Sequence, residues 1–412
     1  MDFVGTDYLY TLTMMRRFFI LNFFLLAFTA SGQAPFSHHT PQYTYAESRA
    51  LFDRSLYAPA AEGFRKVISL VDSETDLSEQ SNFFKVLCSI KLMNRDAGDQ
   101  VLKFLGEYPT SARRKELFIE MADYSFNRRR YREAKNWLMR LNGMFLPKKE
   151  KAELQFKLGY SLFMLKEYEV SRAQFSAAKS SKFKIASSAQ YYYGHIAYLD
   201  TNDITALENL EPLKDHPDFG FVVPYYLAQI YSRRQMDDEL LRLGESLLKE
   251  ASVKRAPEIA KLIGQSLLRK KRFDEALPYL LMHRDRGGKM TPSDYYELGV
   301  LLAKADRYKE AIQSLNKITT TRSSVSEFAL YLLADCYVKE SQNENALSAF
   351  RAVSEIANDE VIREESAFQT AKLTYQGSSP FGNAINAFKN FLLNFPETEY
   401  RREVNEYLAN LY

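Results

Sequence analysis

The sequence predicts an all-α solenoid of about ten helix-turn-helix repeats. A pattern of large and small apolar residues recurs from about residue 43 to residue 412, in most cases at steps of 34 to 37 residues. Gly (16) and Pro (13) are scarce in 412 residues, which favours helix after helix over a sandwich or barrel. A chain of this length also exceeds what one globular core usually organises, so a repeat array is expected.

The full pattern has a large apolar residue, then a small one, with an aromatic, an alanine and a large apolar residue at fixed later offsets, and some copies are weaker. In the clearest copy Gly299 is followed by Tyr308, Ala311 and Leu315. The copy marked at Cys88 is irregular. The small residues of the successive copies are Ser48, Cys88, Ala122, Gly159, Gly194, Ala228, Gly264, Gly299, Ala334, Ala371 and Ala409.

Close helix packing explains these residue types. A Gly or Ala on the first helix of a repeat lets the second helix approach, and the later alanine does the same from the other side. The polar stretches 270–272 and 304–306 are predicted to form turns between the two helices of a repeat. Each helix pair is too thin to bury its own apolar face, so stability must come from stacking on neighbours.

This pattern resembles the tetratricopeptide repeat family over roughly residues 43–412. The resemblance implies a right-handed superhelix whose first helices line the concave side. Two links, Tyr108-Pro109-Thr110-Ser111 and Phe395-Pro396-Glu397-Thr398, look like those of periplasmic members such as bacterial outer-membrane assembly and envelope-division factors. The resemblance therefore also suggests a bacterial envelope protein.

Ligand contacts in this family come mainly from positions three before, one after and four after the small residue. Between residues 153 and 233 these positions are rich in aromatic side chains, which suit an extended peptide or a short helix. The resemblance therefore implies a partner-binding groove lined by Phe156, Tyr160, Phe163, Tyr191, His195, Tyr198 and Tyr225. The alternative is that several of these rings pack against the next repeat.

Basic residues form two clusters about twenty positions apart. The first is expected at a turn within a repeat and the second in the next link between repeats. They are either solvated turns or one basic edge for an anionic partner. The residues are Arg128, Arg129, Arg130, Arg132, Lys148 and Lys149.

The N-terminus reads as a signal peptide, residues 1–32. Arg16 and Arg17 precede an apolar run over residues 18–30, and a small-residue site precedes Gln33. The run is shorter than the about 20 residues that span a bilayer. Export with cleavage before Gln33 and a flexible mature N-terminus over residues 33–42 are expected. The start codon could be Met1, Met14 or Met15, and an uncleaved anchor or a buried helix are the alternatives.

The sequence shows no motif for catalysis, nucleotide binding or metal binding, so no enzymatic activity and no cofactor are expected. The formal net charge of +3 is too small to indicate a nucleic-acid-binding protein. Cys88 and Cys336 are interpreted as small buried apolar residues, and His216 and His283 as solvated or structural.

These observations favour a non-catalytic scaffold or adaptor that binds a protein or peptide in the periplasm or at the outer membrane. One alternative is the periplasmic sensor portion of a signalling protein that continues beyond Tyr412. Another is a glycan-binding or peptidoglycan-binding module. The single tryptophan, Trp137, stands at a second-helix packing position, which counts against a glycan site.

Overall fold

The computed structural model describes residues 40–250, 255–318, 324–377 and 381–412. Within these ranges the chain is all-α, with 21 α-helices and one short 3₁₀-helix, Glu211–Leu213. The predicted signal peptide and residues 33–39 lie outside the described residues, as does part of the Gly377–Pro380 turn. No helix in these ranges combines the length and the apolar character needed to cross a membrane.

The chain divides after Arg128 into two compact units. The first unit holds five helices within its described residues, and two of them have a side-chain N-cap. Thr40 accepts a hydrogen bond from the Tyr43 N–H and is followed by Pro41, while Thr75 caps the third helix through Ser78. The helices are α1 (Pro41–Asp53), α2 (Tyr57–Leu70), α3 (Asp76–Lys91), α4 (Ala97–Glu107) and α5 (Arg114–Asn127).

The second unit, from Arg129, holds sixteen helices within its described residues. They are α6 (Tyr131–Met139), α7 (Lys148–Met164), α8 (Tyr168–Lys179), α9 (Ile185–Leu199), α10 (Asp203–Leu210), α11 (Val223–Arg233), α12 (Asp237–Glu250), α13 (Ala256–Arg269), α14 (Phe273–Asp285), α15 (Pro292–Lys304), α16 (Tyr308–Leu315), α17 (Ser324–Lys339), α18 (Asn343–Ile356), α19 (Glu360–Gln376), α20 (Phe381–Asn394) and α21 (Arg401–Leu411).

Neighbouring helices pack in antiparallel pairs within each unit, from α1/α2 and α3/α4 to α7/α8 and on to α19/α20. The apolar side chains between pairs form a core that extends along the stack, as in the cluster that includes Ile263, Leu298, Leu315 and Leu333. This arrangement confirms the predicted all-α fold of stacked helix-turn-helix repeats.

One backbone feature marks the turn inside nine repeats. Two positions after the last residue of the first helix stands a residue with positive φ, and these residues are 34 to 38 positions apart in the sequence. The predicted turns at 270–272 and 304–306 are confirmed, since Lys271 (φ 58°) and Asp306 (φ 55°) are two of them. The full set is Ser55, Met93, Arg129, Lys166, Thr201, Gln235, Lys271, Asp306 and Ser341.

The small residue of each repeat lies seven positions before this turn residue in every case but one. Gly299 shows why it must be small, because a Cβ added there would lie 2.6 Å from a methyl group of Leu315, sixteen positions later. Gly264 faces Leu280 in the same way, also at 2.6 Å. At these glycines the backbone of the first helix therefore lies in close contact with a leucine side chain of the second helix.

The exception is the second repeat, where the predicted small-residue position, Cys88, is wrong. The turn residue of that repeat is Met93, so the equivalent position is Val86, two residues earlier. Val86 is 3 % exposed, and its repeat accommodates a larger side chain where most repeats have Gly or Ala. Cys88 and Cys336 are both free and fully buried, as expected for small apolar residues.

The two Pro-containing links have the same local structure. Ser111 accepts a hydrogen bond from the Arg113 N–H at 3.1 Å, and Thr398 accepts one from the Tyr400 N–H at 3.2 Å. In each link an arginine five residues after the proline, Arg114 or Arg401, donates to that proline's carbonyl oxygen. The similar sequences therefore form similar turns in both units.

Candidate partner-binding surface

The seven predicted groove residues all lie on first helices of the second unit. Helix α7 carries Phe156, Tyr160 and Phe163, and α9 carries Tyr191, His195 and Tyr198. Helix α11 carries Tyr225 in its first turn. The helical periodicity brings the residues of each helix onto one face, and rings of α7 touch rings of α9.

Two of the seven are mainly structural. Tyr160 is 8 % exposed and packs edge-on against Tyr192 at 5.2 Å, while Tyr191 is 5 % exposed and stacks on Phe219 at 4.7 Å. Burial is the main reason that the pKa of Tyr191 is raised, and Tyr226 adds to the effect. The other five predicted residues are half-buried, so part of each ring is accessible.

Sequence reasoning missed Tyr192, which links the rings of α7 to those of α9. Its ring lies 5.3 Å from Phe163, 6.0 Å from Phe156 and 5.3 Å from Phe175, on which it stacks. Its pKa is raised well above the usual value, mainly by burial and then by Tyr160. Tyr192 stands two positions before Gly194, outside the positions that the family resemblance singles out.

Tyr226 has the same role between α9 and α11, two positions before Ala228. It stacks on His195 at 4.9 Å and lies 4.9 Å from Tyr198. Both residues could have been predicted from the sequence, because each stands two positions before the small residue of its repeat. We call the half-buried rings of α7, α9 and α11 the aromatic face: Phe156, Phe163, Tyr192, His195, Tyr198, Tyr225 and Tyr226.

His195 belongs to this face as an uncharged ring. Burial lowers its pKa to about 4, so it is neutral at physiological pH. It lies 5.6 Å from Phe163 and 6.2 Å from Tyr198, and its Nδ1 has no hydrogen-bond partner within the described residues. A neutral imidazole enclosed by rings contributes packing rather than acid–base chemistry.

Polar groups border the aromatic face on the α11 side. The Tyr198 hydroxyl donates a hydrogen bond to Gln229 at 2.5 Å, and the Arg233 guanidinium lies 4.8 Å above the Tyr198 ring. Arg233 also pairs with Asp203 at 2.5 Å. The Arg255 guanidinium lies 5.0 Å from the Tyr225 ring. Hydrogen-bonding groups and cations at the margin of an apolar surface are typical of interaction sites.

The predicted basic edge is distributed over both units. In the first unit Arg128 is held by its own neighbours, donating to the Tyr124 hydroxyl at 2.7 Å. In the second unit Arg129 is the turn residue and Arg130 pairs with Glu133 at 3.6 Å. Arg132 is exposed on α6.

The expected location of Lys148 and Lys149 in a link is wrong. They are the first two residues of α7, because Pro147 occupies the N-cap and the helix begins directly after it. Both side chains are exposed.

Two predicted histidines have structural surroundings. His283 on α14 is 1 % exposed, and its Nδ1 lies 2.9 Å from the Pro257 carbonyl oxygen. His216 accepts a hydrogen bond from the Asp218 N–H at 3.1 Å. No group of three or more potential metal ligands occurs within the described residues.

Residues 329–360 match the tetratricopeptide repeat family. This stretch includes most of α17 and all of α18, with the Ser341 turn between them, and the same helix-turn-helix geometry recurs in both units. This stretch of the chain is therefore a tetratricopeptide repeat. Tetratricopeptide repeat proteins are usually non-catalytic scaffolds for protein partners.

Several solved structures are similar to this chain. The C-terminal part of a TPR repeat-containing protein from Cytophaga hutchinsonii is 14 % identical, covers 65 % of this chain and 97 % of its own, and has a TM-score of 0.36. YrrB, described as a TPR protein with an unusual peptide-binding site, is 17 % identical, with coverages of 57 % and 97 % and a TM-score of 0.32.

Yeast Tom70 is 12 % identical to this chain, covers 87 % of it and 99 % of its own chain, and has a TM-score of 0.31. No curated protein sequence matches the chain.

Proposed function

We propose that this tetratricopeptide repeat protein is a scaffold that binds a peptide segment of a protein partner on its aromatic face. The observation that carries the proposal is the continuous contact of half-buried rings from α7 through α9 to α11. Phe163 touches His195, His195 touches Tyr226, and Tyr226 touches Tyr198. Rings held by one another lose little further conformational entropy on binding, and aromatic side chains dominate binding energy at interfaces.

Tyrosine also suits a peptide ligand because its hydroxyl can exchange partners with a peptide backbone. Tyr198 and Tyr225 are the two predicted residues at the polar margin of the face, next to Gln229 and Arg255. They are therefore the residues to change. Tyr160 and Tyr191 are less suitable, since replacing buried rings would disturb the packing of α7 and α9.

The test selects peptides that bind the full chain from a random display library and then measures their affinity for three proteins. These are wild type, the double variant Tyr198→Ser/Tyr225→Ser, and the control Tyr193→Ser. Tyr193 lies on α9 but its ring meets Lys179 of α8, at 3.9 Å from the lysine nitrogen. We expect the double variant to weaken binding by at least about tenfold, which corresponds to about 1.4 kcal/mol, and the control to bind as wild type does.

Circular dichroism first establishes that all three proteins remain helical. Equal affinities for wild type and the double variant would refute the aromatic face as the binding site.

The proposed location is the bacterial cell envelope, as a protein exported to the periplasm or held at the outer membrane. The basic pair Arg16-Arg17, the apolar run and the small-residue site before Gln33 support it. The test is the N-terminal sequence of the native protein purified from fractionated cells. A start at Gln33 in the periplasmic or outer-membrane fraction agrees with export, and an intact N-terminus in the cytoplasmic fraction contradicts it.

A further inference from the structure

The first unit contains a cavity of about 250 Å³ between α2, α3 and α4. Its polar lining consists of two cations and three neutral hydrogen-bonding side chains, with no carboxylate among the lining residues. Arg65 comes from α2, Lys85 and Ser89 from α3, Asn94 from the following turn and Gln100 from α4.

Lys85 is the unusual member of this lining. It is half-buried, and its ammonium group donates a hydrogen bond to the Asn82 side-chain oxygen at 3.0 Å. Within the described part of the first unit, no carboxylate oxygen lies within ion-pair distance of it. Some half-buried lysines of other repeats do have such a partner, as Lys135 has Glu167 at 2.5 Å and Lys261 has Asp294 at 2.7 Å.

The charges around Lys85 leave it under-compensated. Burial lowers its pKa, and the neighbouring cations Lys103 and Arg65 lower it further, while Glu107 acts in the opposite direction. A partly desolvated cation beside two others is unfavourable unless negative charge is supplied. Glu107 supplies part of this charge from outside the lining, and a bound anion would supply negative charge inside the cavity itself, where no carboxylate lies.

The neutral side chains can complete an anion site. Asn94 donates to the Ser89 oxygen at 3.2 Å, which leaves the Ser89 hydroxyl hydrogen free to point elsewhere. The Gln100 amide donates one hydrogen to Asp96 at 2.9 Å and retains a second. Arg65 pairs with Glu62 on the surface of α2, and such exposed pairs are weak enough to yield to a better acceptor.

We propose that this cavity binds a phosphate-type oxyanion, with Lys85 and Arg65 neutralising its charge and Ser89, Asn94 and Gln100 donating hydrogen bonds. The ligand is free inorganic phosphate or a phosphate ester, which share this chemistry. Cations with converging hydroxyl and amide donors are the groups that hold phosphate in proteins. The site belongs to the first unit and is independent of the aromatic face.

The experiment titrates the full chain with inorganic phosphate, sulfate and O-phosphoserine at constant ionic strength set with chloride, using calorimetry and thermal unfolding. The variants are Lys85→Gln and Arg65→Gln, with Lys66→Gln as the control. Lys66 is exposed on α2 next to Arg65 and is outside the cavity lining, so its substitution changes the net charge equally. Lys85→Gln removes a desolvated charge and should keep the fold.

The expected result is saturable binding of phosphate and sulfate to wild type and to Lys66→Gln, and affinities at least about tenfold weaker for both cavity variants. Tighter binding of O-phosphoserine than of phosphate would assign the site to an ester, and weaker or equal binding would assign it to the free anion. The proposal is overturned if wild type shows no saturable binding, or if Lys66→Gln weakens binding as much as the cavity variants do.

Discussion

The ion pair between Lys261 and Asp294 offers a sharp test of how the repeats of the second unit are held together. Lys261 lies on α13 and Asp294 on α15, the first helices of successive repeats. Asp294 is 3 % exposed, and the Lys261 nitrogen lies 2.7 Å from its carboxylate. Replacing Lys261 by Met keeps most of the apolar stem and removes the charge.

The size of the destabilisation depends on the hydrogen bonds that Asp294 keeps after Lys261 is replaced. Breaking a buried ion pair by removing one partner typically costs about 3–5 kcal/mol. Asp294 still accepts hydrogen bonds at 2.8 Å from both the backbone N–H and the hydroxyl of Thr291, in a capping box at the start of α15. Because these donors remain, we expect Lys261→Met to lower the free energy of unfolding by about 2–3 kcal/mol at pH 7.

The pH dependence adds a second requirement. Burial by itself raises the pKa of Asp294, but hydrogen bonds from Lys261 and Thr291 outweigh it, and the pKa is lowered overall. A lowered folded-state pKa stabilises the fold above the unfolded value of about 4, and this contribution is lost as the pH falls through the folded-state pKa. The cost of Lys261→Met should therefore shrink in acid, as Asp294 becomes protonated.

Urea unfolding followed by circular dichroism between pH 7 and pH 3 measures both effects. The matched control is Lys270→Met, which removes the C-cap lysine that follows α13 and pairs at 2.8 Å with the exposed Asp238. Surface pairs of this kind contribute little, so the control should leave the urea midpoint unchanged. The reasoning is refuted if Lys261→Met costs no more than the control, or if its cost is the same at pH 3 as at pH 7.

Two further predictions concern packing. Gly299→Ala should destabilise the protein by about 1–3 kcal/mol in urea unfolding, because the new Cβ would meet the fully buried Leu315 at 2.6 Å. The control Gly106→Ala should be neutral or stabilising, because a Cβ there would have nothing within 4 Å. The close-approach argument would be contradicted if Gly106→Ala destabilised the protein more than Gly299→Ala does. Burial raises the pKa of Cys88 and of Cys336 to about 12. Neither thiol should therefore react with a disulfide reagent at pH 8 until urea unfolds the chain. Rapid labelling of the native protein would contradict this prediction, because it would show that the thiols are accessible.

The repeat register could be predicted from sequence because local sterics determine it. A Gly at 159, 194, 264 or 299 is needed where the second helix of the repeat comes close, and the large residue it meets is always sixteen positions later. Such a fixed spacing is visible without coordinates. The register of the second repeat was predicted wrongly for a simple reason. Val86, which is not a small residue, occupies the position seven residues before the turn, and the nearby Cys88 suggested a false register.

The aromatic content of α7, α9 and α11 could also be predicted, but not which rings are accessible. Tyr160 and Phe163 stand three positions apart on α7, yet one is buried against Tyr192 and the other is half-exposed. That difference depends on how the next helix is placed, which requires the three-dimensional arrangement of both repeats. The same dependence hid Tyr192 and Tyr226 as the rings that join neighbouring helices.

The helical class, the repeat length and the positions of most turns can be predicted from the sequence, because they follow from local periodicity and from small residues at fixed spacing. The electrostatics cannot be predicted in this way, because they depend on which residues the fold brings together. In sequence Lys85 and Lys261 are both lysines on first helices, but Lys261 meets Asp294 from the next repeat whereas Lys85 lies beside a cavity lined by Arg65. Whether a charge is compensated depends on residues about thirty positions away, and folding alone brings them together.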